Sequence, residues 1–137
     1  MQLEEITMPD TRLTKEYAVT QELLASRMGS GALPVLATPA VSAFFENAAM
    51  ELAAGFLADG ETTVGSKITV EHLAPTAPGC AVTVTAELLE HEKRIFRFRL
   101  EARDNAGVIA TGTHERVSVK SDRFLQKADQ RKSAVAE

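Results

Sequence analysis

Tryptophan is absent from the 137 residues, tyrosine and cysteine occur once each, and aromatic residues make up only 5%. A chain with so few flat rings is poorly equipped to stack on nucleic-acid bases. The formal net charge is -4, and no long basic run occurs. Both observations argue against nucleic acid or an anionic membrane as the main partner. A lone Cys80 cannot build a disulfide framework or a cysteine metal cluster within one chain, so a reducing, cytoplasmic setting is expected. The longest apolar stretch, Val35 to Gly60, is broken by Glu46, Asn47 and Glu51, so no membrane span is expected. The start, MQLEEITMPD, is acidic and reads as neither signal peptide nor anchor. There is no P-loop, no GxGxxG and no GxSxG elbow. His72, His91 and His114 lie too far apart in sequence for a histidine-pair metal motif. No metal and no cofactor is therefore expected, and a serine hydrolase or metalloenzyme is disfavoured.

What is present suits a folded domain. Hydrophobic residues make up 45% and charged residues 25%, enough to fill a core under an ordinary surface. One domain is expected over 1–137, with its core over about 12–120 and a polar, fraying helical tail over 121–137. RLTKEYAVT (12–20) reads as a first strand. Gly29, Ser30, Gly31 and Pro34 mark a mobile loop, preceded by a short helical turn. Thr38 followed by Pro39 predicts a helix start, with threonine as N-cap. The helix should run to about Leu57 and stop at ADGE, where Gly60 suits a left-handed cap.

Beyond Gly60 the period becomes two. Val64, Ser66, Ile68, Val70 and His72 share one face. APTAPG (74–79) then breaks the chain. Cys80, Val82, Val84, Ala86 and Leu88 share a face of the next strand. EHEK (90–93) reads as a hairpin turn, Phe96, Phe98, Leu100 and Ala102 face the core, and DNAG (104–107) is a second turn. The last long strand covers 108–119. One apolar helix followed by four antiparallel strands predicts an α+β fold, with an antiparallel sheet wrapped around one long central helix. This is the hot-dog fold. A single sheet covers only part of a helix that is apolar all round. The rest implies a second copy of the chain, so the fold is expected to be dimeric.

A carboxylate in such a helix is expensive to bury. Glu46 could simply sit at a helix edge and reach water. Glu51, however, points about 140° away from it, so both cannot lie on one solvated stripe. Asn47 places Glu51 on the more polar side. Glu46, among Phe45, Ala49 and Met50, is the candidate pocket-facing base. His72 lies on the apolar face of its strand. A core histidine bonded to a carbonyl is the plain reading, and its place at a strand end favours a site. His91 is expected in a solvated turn. His114 shares a face with Arg116, and a paired or solvated structural role is expected for it. The Thr38 hydroxyl is most simply a cap, and could instead orient His72. Thr38 and Glu46 stand about 12 Å apart along one helix axis. They can meet in one site only across a dimer, or if the helix starts later.

The segments LATPAVSAFFENAAMELA, VGSKITVEHLAPTAPGCAVTVTAEL and GVIATGTHERV, in that order, resemble the fluoroacetyl-CoA thioesterase-like family of hot-dog acyl-CoA thioesterases. The resemblance spans roughly Val35 to Val119. It implies hydrolysis of an acyl-CoA thioester, with Thr38, Glu46 and His72 as the catalytic set. It also implies that the backbone of Gly65 binds the acyl carbonyl and that Arg116 helps hold the site. A homodimer acting on an acyl-CoA substrate is implied, with pairing into tetramers left open. The family's best-known member has an aromatic- and proline-rich lid before the threonine, whereas QELLASRMGSGALPVL is shorter and contains no aromatic residue. A general short- or medium-chain acyl group is therefore expected. Two alternatives stay open: a hot-dog protein that binds or senses acyl-CoA without turnover, and a hot-dog hydratase or dehydratase.

Overall fold

Alternating apolar and polar residues set five strands: β1 (Arg12–Ala18), β2 (Glu61–His72), β3 (Ala81–Glu92), β4 (Ile95–Asp104) and β5 (Gly107–Lys120). The computed structural model describes residues 8–135; the acidic start at 1–7 and the last two residues lie outside that range. The strands form one antiparallel sheet in the order β1-β3-β4-β5-β2, which leaves β2 at an edge. Helices α1 (Ala25–Met28), α2 (Thr38–Ala54) and α3 (Ser121–Val135) complete the chain, with a 3-10 turn at Gln21–Leu23. The expected tail helix is α3.

Helix α2 contacts all five strands. Small residues, Ala40, Ala48, Ala49 and Ala53, line its buried side and let the sheet close over it, while Phe45 is wholly buried in a core that includes Val84, Phe98 and Leu100. Gly112 is required under that ring, because a Cβ there would lie 3.0 Å from Phe45 and strike the Thr69 carbonyl. This is the expected α+β sheet-around-helix arrangement of the hot-dog fold.

Several expectations are corrected. Thr38 is the first residue of α2 and Ala37 is the N-cap, with no side-chain cap bond. Ala40 and Val41 donate instead to the Ala37 carbonyl, at 3.0 and 3.1 Å. The helix ends at Ala54, and Gly55 stays right-handed at φ -66°. Gly60 is left-handed, at φ 82°, but it serves the turn into β2. Ser66 is an extra residue in β2: Gly65 pairs with Arg116 and Lys67 with Glu115. This bulge reverses the alternation. Thr63 and Gly65, rather than Val64 and Ser66, therefore share the helix-facing side with Ile68, Val70 and His72. Strand β3 runs on to Glu92 and the turn is Lys93–Arg94, so His91 lies in a strand, exposed yet stacked 3.9 Å from the Phe96 ring. The loop at 29–34 is exposed, and its flanks are tied down: Ala25 N–H reaches the Val35 carbonyl at 2.8 Å, Leu36 reaches Thr76 at 2.9 Å, and Ala37 reaches Leu23 at 2.9 Å.

Candidate active site

Halfway along α2, between buried Phe45 and buried Ala48, Glu46 is half-buried. Its carboxylate faces Gly65 on β2. A Cβ at Gly65 would lie 2.9 Å from Glu46 Oε2, 3.2 Å from His114 Cε1 and 3.5 Å from Arg116 Nη1. The glycine thus leaves room for a carboxylate, an imidazole and a guanidinium around one stretch of bare backbone. Among the described residues Glu46 forms no ion pair and no side-chain hydrogen bond.

Arg116 is only 6% exposed. Its Nε donates to Thr63 Oγ1 at 2.7 Å and its Nη2 to the Thr63 carbonyl at 2.8 Å. Nη1 lies 3.1 Å from His114 Nε2, and His114 Nδ1 lies 2.7 Å from the Lys67 carbonyl. A carbonyl only accepts, so Nδ1 must carry the proton and Nε2 must accept from the guanidinium. That assigns His114 as a neutral imidazole. Burial pushes the His114 pKa below its ordinary value and the Arg116 charge adds to this, while the Lys67 carbonyl, Glu46 and Glu115 oppose it. Burial likewise lowers the Arg116 pKa, with Glu46 opposing.

Thr38 and His72 form a second group, at the start of α2 and the end of β2. The Thr38 hydroxyl lies 2.9 Å from His72 Nδ1. His72 Nε2 is buried and has no hydrogen-bond partner. Burial lowers the His72 pKa, and the Ala74 backbone opposes this without reaching hydrogen-bond geometry. The pair opens on a cleft of about 270 Å³ walled by Val35, Leu36, Leu73 and Ala74. Leu73, beside the histidine, is 61% exposed.

The structure therefore joins Thr38 to His72, and Glu46 to Gly65, His114 and Arg116. It does not join the two groups within one chain. Eight helical residues separate Thr38 from Glu46, about 12 Å of rise. Gly65 and His72 are separated by about 20 Å of strand. Glu51 belongs to neither group: Lys15 Nζ holds it at 2.7 Å and also donates to Asn47 at 2.8 Å. Tyr17 donates to the same Asn47 oxygen at 2.7 Å, and burial together with Glu51 raises its pKa to about 12. Thr63 and His114 were not singled out as part of a site. Thr63 is hidden from the pattern by the bulge at Ser66. His114 was detectable as the i−2 neighbour of Arg116 on one strand face.

The model of the fluoroacetyl-CoA-specific thioesterase family matches residues 19–122. The fluoroacetyl-CoA thioesterase of Streptantibioticus cattleyicolor is 39% identical over 100 residues, which are 73% of this chain and 72% of that protein. Among solved structures, a point variant of the fluoroacetyl-CoA-specific thioesterase FlK superposes with a TM-score of 0.84 at 31% identity, covering 93% of this chain and 99% of that one. A thioesterase superfamily member from Thermus thermophilus gives a TM-score of 0.81 at 28% identity, covering 96% and 99%. A hot-dog-like protein from Thermanaerovibrio acidaminovorans gives 0.81 at 28% identity, covering 88% and 90%.

Proposed function

This chain belongs to the fluoroacetyl-CoA-specific thioesterase family, and on that premise we propose that it hydrolyses the thioester of a short- or medium-chain acyl-CoA at a site assembled from two copies of the chain. The observation that carries this reading is the free carboxylate of Glu46. A half-buried carboxylate without a protein partner costs stability, and against bare backbone at Gly65 it has both oxygens available for chemistry. Either it takes a proton from water as the water attacks the thioester carbon, or it attacks that carbon itself and water then cleaves the acyl-enzyme anhydride. In both routes the C–S bond breaks and the products are the free acid and the CoA thiol. Charge develops on the acyl oxygen during attack. The Gly65 backbone and the fixed Arg116 guanidinium are the groups set to meet it.

His72 is the partner for the leaving group. Its depressed pKa favours the neutral ring. If the Thr38 hydroxyl donates to Nδ1, Nε2 carries the proton and has no competing acceptor. That N–H can donate to the acyl oxygen or to the departing sulfur. Separation of the two groups along α2 and β2 supports assembly from two chains, since one thioester carbon cannot touch both groups in one. The outer side of α2 is consistent with this: Met50 is 40% exposed and Ala43 and Ala54 are also exposed. Covering that apolar face is what a homodimer would do. A cytoplasmic setting is part of the same reading.

The choice of acyl group rests on the cleft. Its walls near Thr38 are largely aliphatic and no phenylalanine or tyrosine lines it, so nothing there singles out a fluorinated group. A panel of acyl-CoA thioesters of rising chain length, with a thiol-detecting reagent, tests the proposal. Release of free CoA, fastest on short or medium chains, supports it. Water added to or lost from the acyl group without CoA release would point to the lyase alternative, and binding without turnover to a sensor.

A further inference from the structure

We propose that His114 is a positioning residue that holds the Arg116 guanidinium apart from Glu46, so that the carboxylate stays free for attack and the guanidinium for the acyl oxygen. This inference rests on the thioesterase reading and deepens it by giving a role to a side chain outside the Thr38, Glu46 and His72 set.

The two charges lie near enough to attract one another strongly. A Cβ placed on Gly65 would stand 2.9 Å from Glu46 Oε2 and 3.5 Å from Arg116 Nη1. The carboxylate also favours the charged form of both Arg116 and His114. Even so, Glu46 and Arg116 form no ion pair. Exposed arginines on the outer sheet face behave in the opposite way: Arg97 takes Glu90 at 2.6 Å and Arg103 takes Glu101 at 2.9 Å. Water weakens the attraction there. Arg116 is buried, where the attraction between unlike charges is greater. A specific contact must therefore hold the guanidinium back.

His114 supplies that contact. Its Cε1 would lie 3.2 Å from the same Cβ, so the edge of the imidazole borders the space that the two charges share. Nε2 accepts from Nη1 at 3.1 Å, and Nδ1 is anchored on the Lys67 carbonyl at 2.7 Å. Thr63 holds the other two guanidinium nitrogens. An imidazole suits the task because its donor and its acceptor occupy separate corners of one rigid ring. A carboxylate at position 114 would cancel the guanidinium charge, whereas a neutral ring directs the guanidinium and leaves its charge whole. Both halves of the reaction depend on the separation. A carboxylate paired with arginine is a weaker base and nucleophile, and a guanidinium spent on a carboxylate has less to offer a developing oxyanion.

His114→Asn and His114→Gln separate this role from simple core filling. Asparagine can keep the bond to the Lys67 carbonyl but places no acceptor near Nη1. Glutamine reaches far enough to accept from Nη1. His114→Asn should lower kcat by about tenfold to a hundredfold with KM nearly unchanged, the pattern of a misplaced group that acts in the transition state. His114→Gln should return kcat to within about threefold of the wild type. In an Arg116→Lys background, His114→Asn should cost less than about twofold more, because the two side chains act as a unit. A crystal structure of His114→Asn should show Arg116 paired with Glu46. Equal kcat losses in the two single variants, additive losses in the double variant, or an Arg116 that stays apart from Glu46 in His114→Asn would each overturn the proposal. So would a lowered melting temperature with kcat intact, which would leave His114 a framework residue only. The wild-type chain provides a check that needs no variant: nitrogen-15 spectra at neutral pH should show the His114 proton on Nδ1 and none on Nε2. A proton on Nε2 overturns the proposal, because that nitrogen could not then accept from Arg116. The spectra and the crystal structure require no turnover. They decide the role of His114 even if no thioester is hydrolysed, an outcome that would sink the thioesterase reading by itself.

Discussion

Around the middle of α2, Arg116 spends its donors on Thr63 and His114, and His114 spends its own on the Lys67 carbonyl. At the start of the same helix, Thr38 and His72 share one hydrogen bond, and the far nitrogen of the ring is left without a partner. The first group is a buried, closed network that leaves one member, Glu46, unbonded. The second is a loose pair beside an exposed leucine. Closed networks hold geometry, and unpartnered polar atoms do chemistry or wait for a ligand. The contrast assigns different consequences to substitutions that look alike on paper.

The largest effect is expected at Glu46. Glu46→Gln should lower kcat by at least about a hundredfold, the range of a positioned acid or base. Glu51→Gln, which loses only the Lys15 pair, should leave kcat nearly unchanged. Steady-state kinetics that show equal losses at both positions would mean the wrong carboxylate has been chosen.

His72→Asn comes next, with a loss of about tenfold to a hundredfold on an aliphatic acyl-CoA. On an aromatic thioester, whose thiolate leaves easily, the His72→Asn defect should shrink while the Glu46→Gln defect persists. Equal defects on both thioesters would break the proposed division of labour.

Paired threonine substitutions sharpen the comparison through stability. Thr63→Val removes the acceptor of a buried guanidinium and should cost about 1–3 kcal/mol in denaturant unfolding. Thr38→Val, at an exposed position, should cost less than about 0.5 kcal/mol yet lower kcat. The reverse ranking would contradict the assignment of Thr63 to the framework that fixes Arg116 and of Thr38 to the chemistry of His72.

The smallest effect is a pH dependence of stability. Burial is the first cause of the lowered pKa at both His72 and His114. On acidification the unfolded chain therefore takes up protons before the folded one. Stability is complete above the ordinary histidine value of 6.5 and falls as pH drops below it toward the folded values. His114→Asn should flatten this slope more than His72→Asn, because His114 is the more buried. Urea melts across that window would measure it.

The sequence carried the helix, the sheet and the resemblance-bearing residues, because hydrophobic periodicity and spaced polar residues are local signals. What it concealed has a common origin. The Ser66 bulge changes parity by one residue, and period-two reasoning cannot detect such a change. Unbroken alternation puts Thr63 on the outer face, away from Arg116, whereas the bulge turns it inward to meet the guanidinium. Thr38 looked like an N-cap because threonine before proline is the ordinary signature of one. Only the spatial approach of His72, which lies at the far end of another element, shows that its hydroxyl is used elsewhere. The helical rise between Thr38 and Glu46 is legible in the sequence itself, and it poses the question of a shared site.

That question has a direct answer in complementation. Glu46→Gln and His72→Asn chains, each nearly inactive alone, are unfolded together, refolded as an equal mixture and assayed. If Glu46 of one chain works with His72 of the other, half of the dimers are mixed and each mixed dimer holds one intact site. Activity should then recover to about a quarter of the wild-type value. If both residues serve one site within a single chain, every site in every mixed dimer carries a substitution. Activity that stays at the sum of the two separate variants would contradict the shared site.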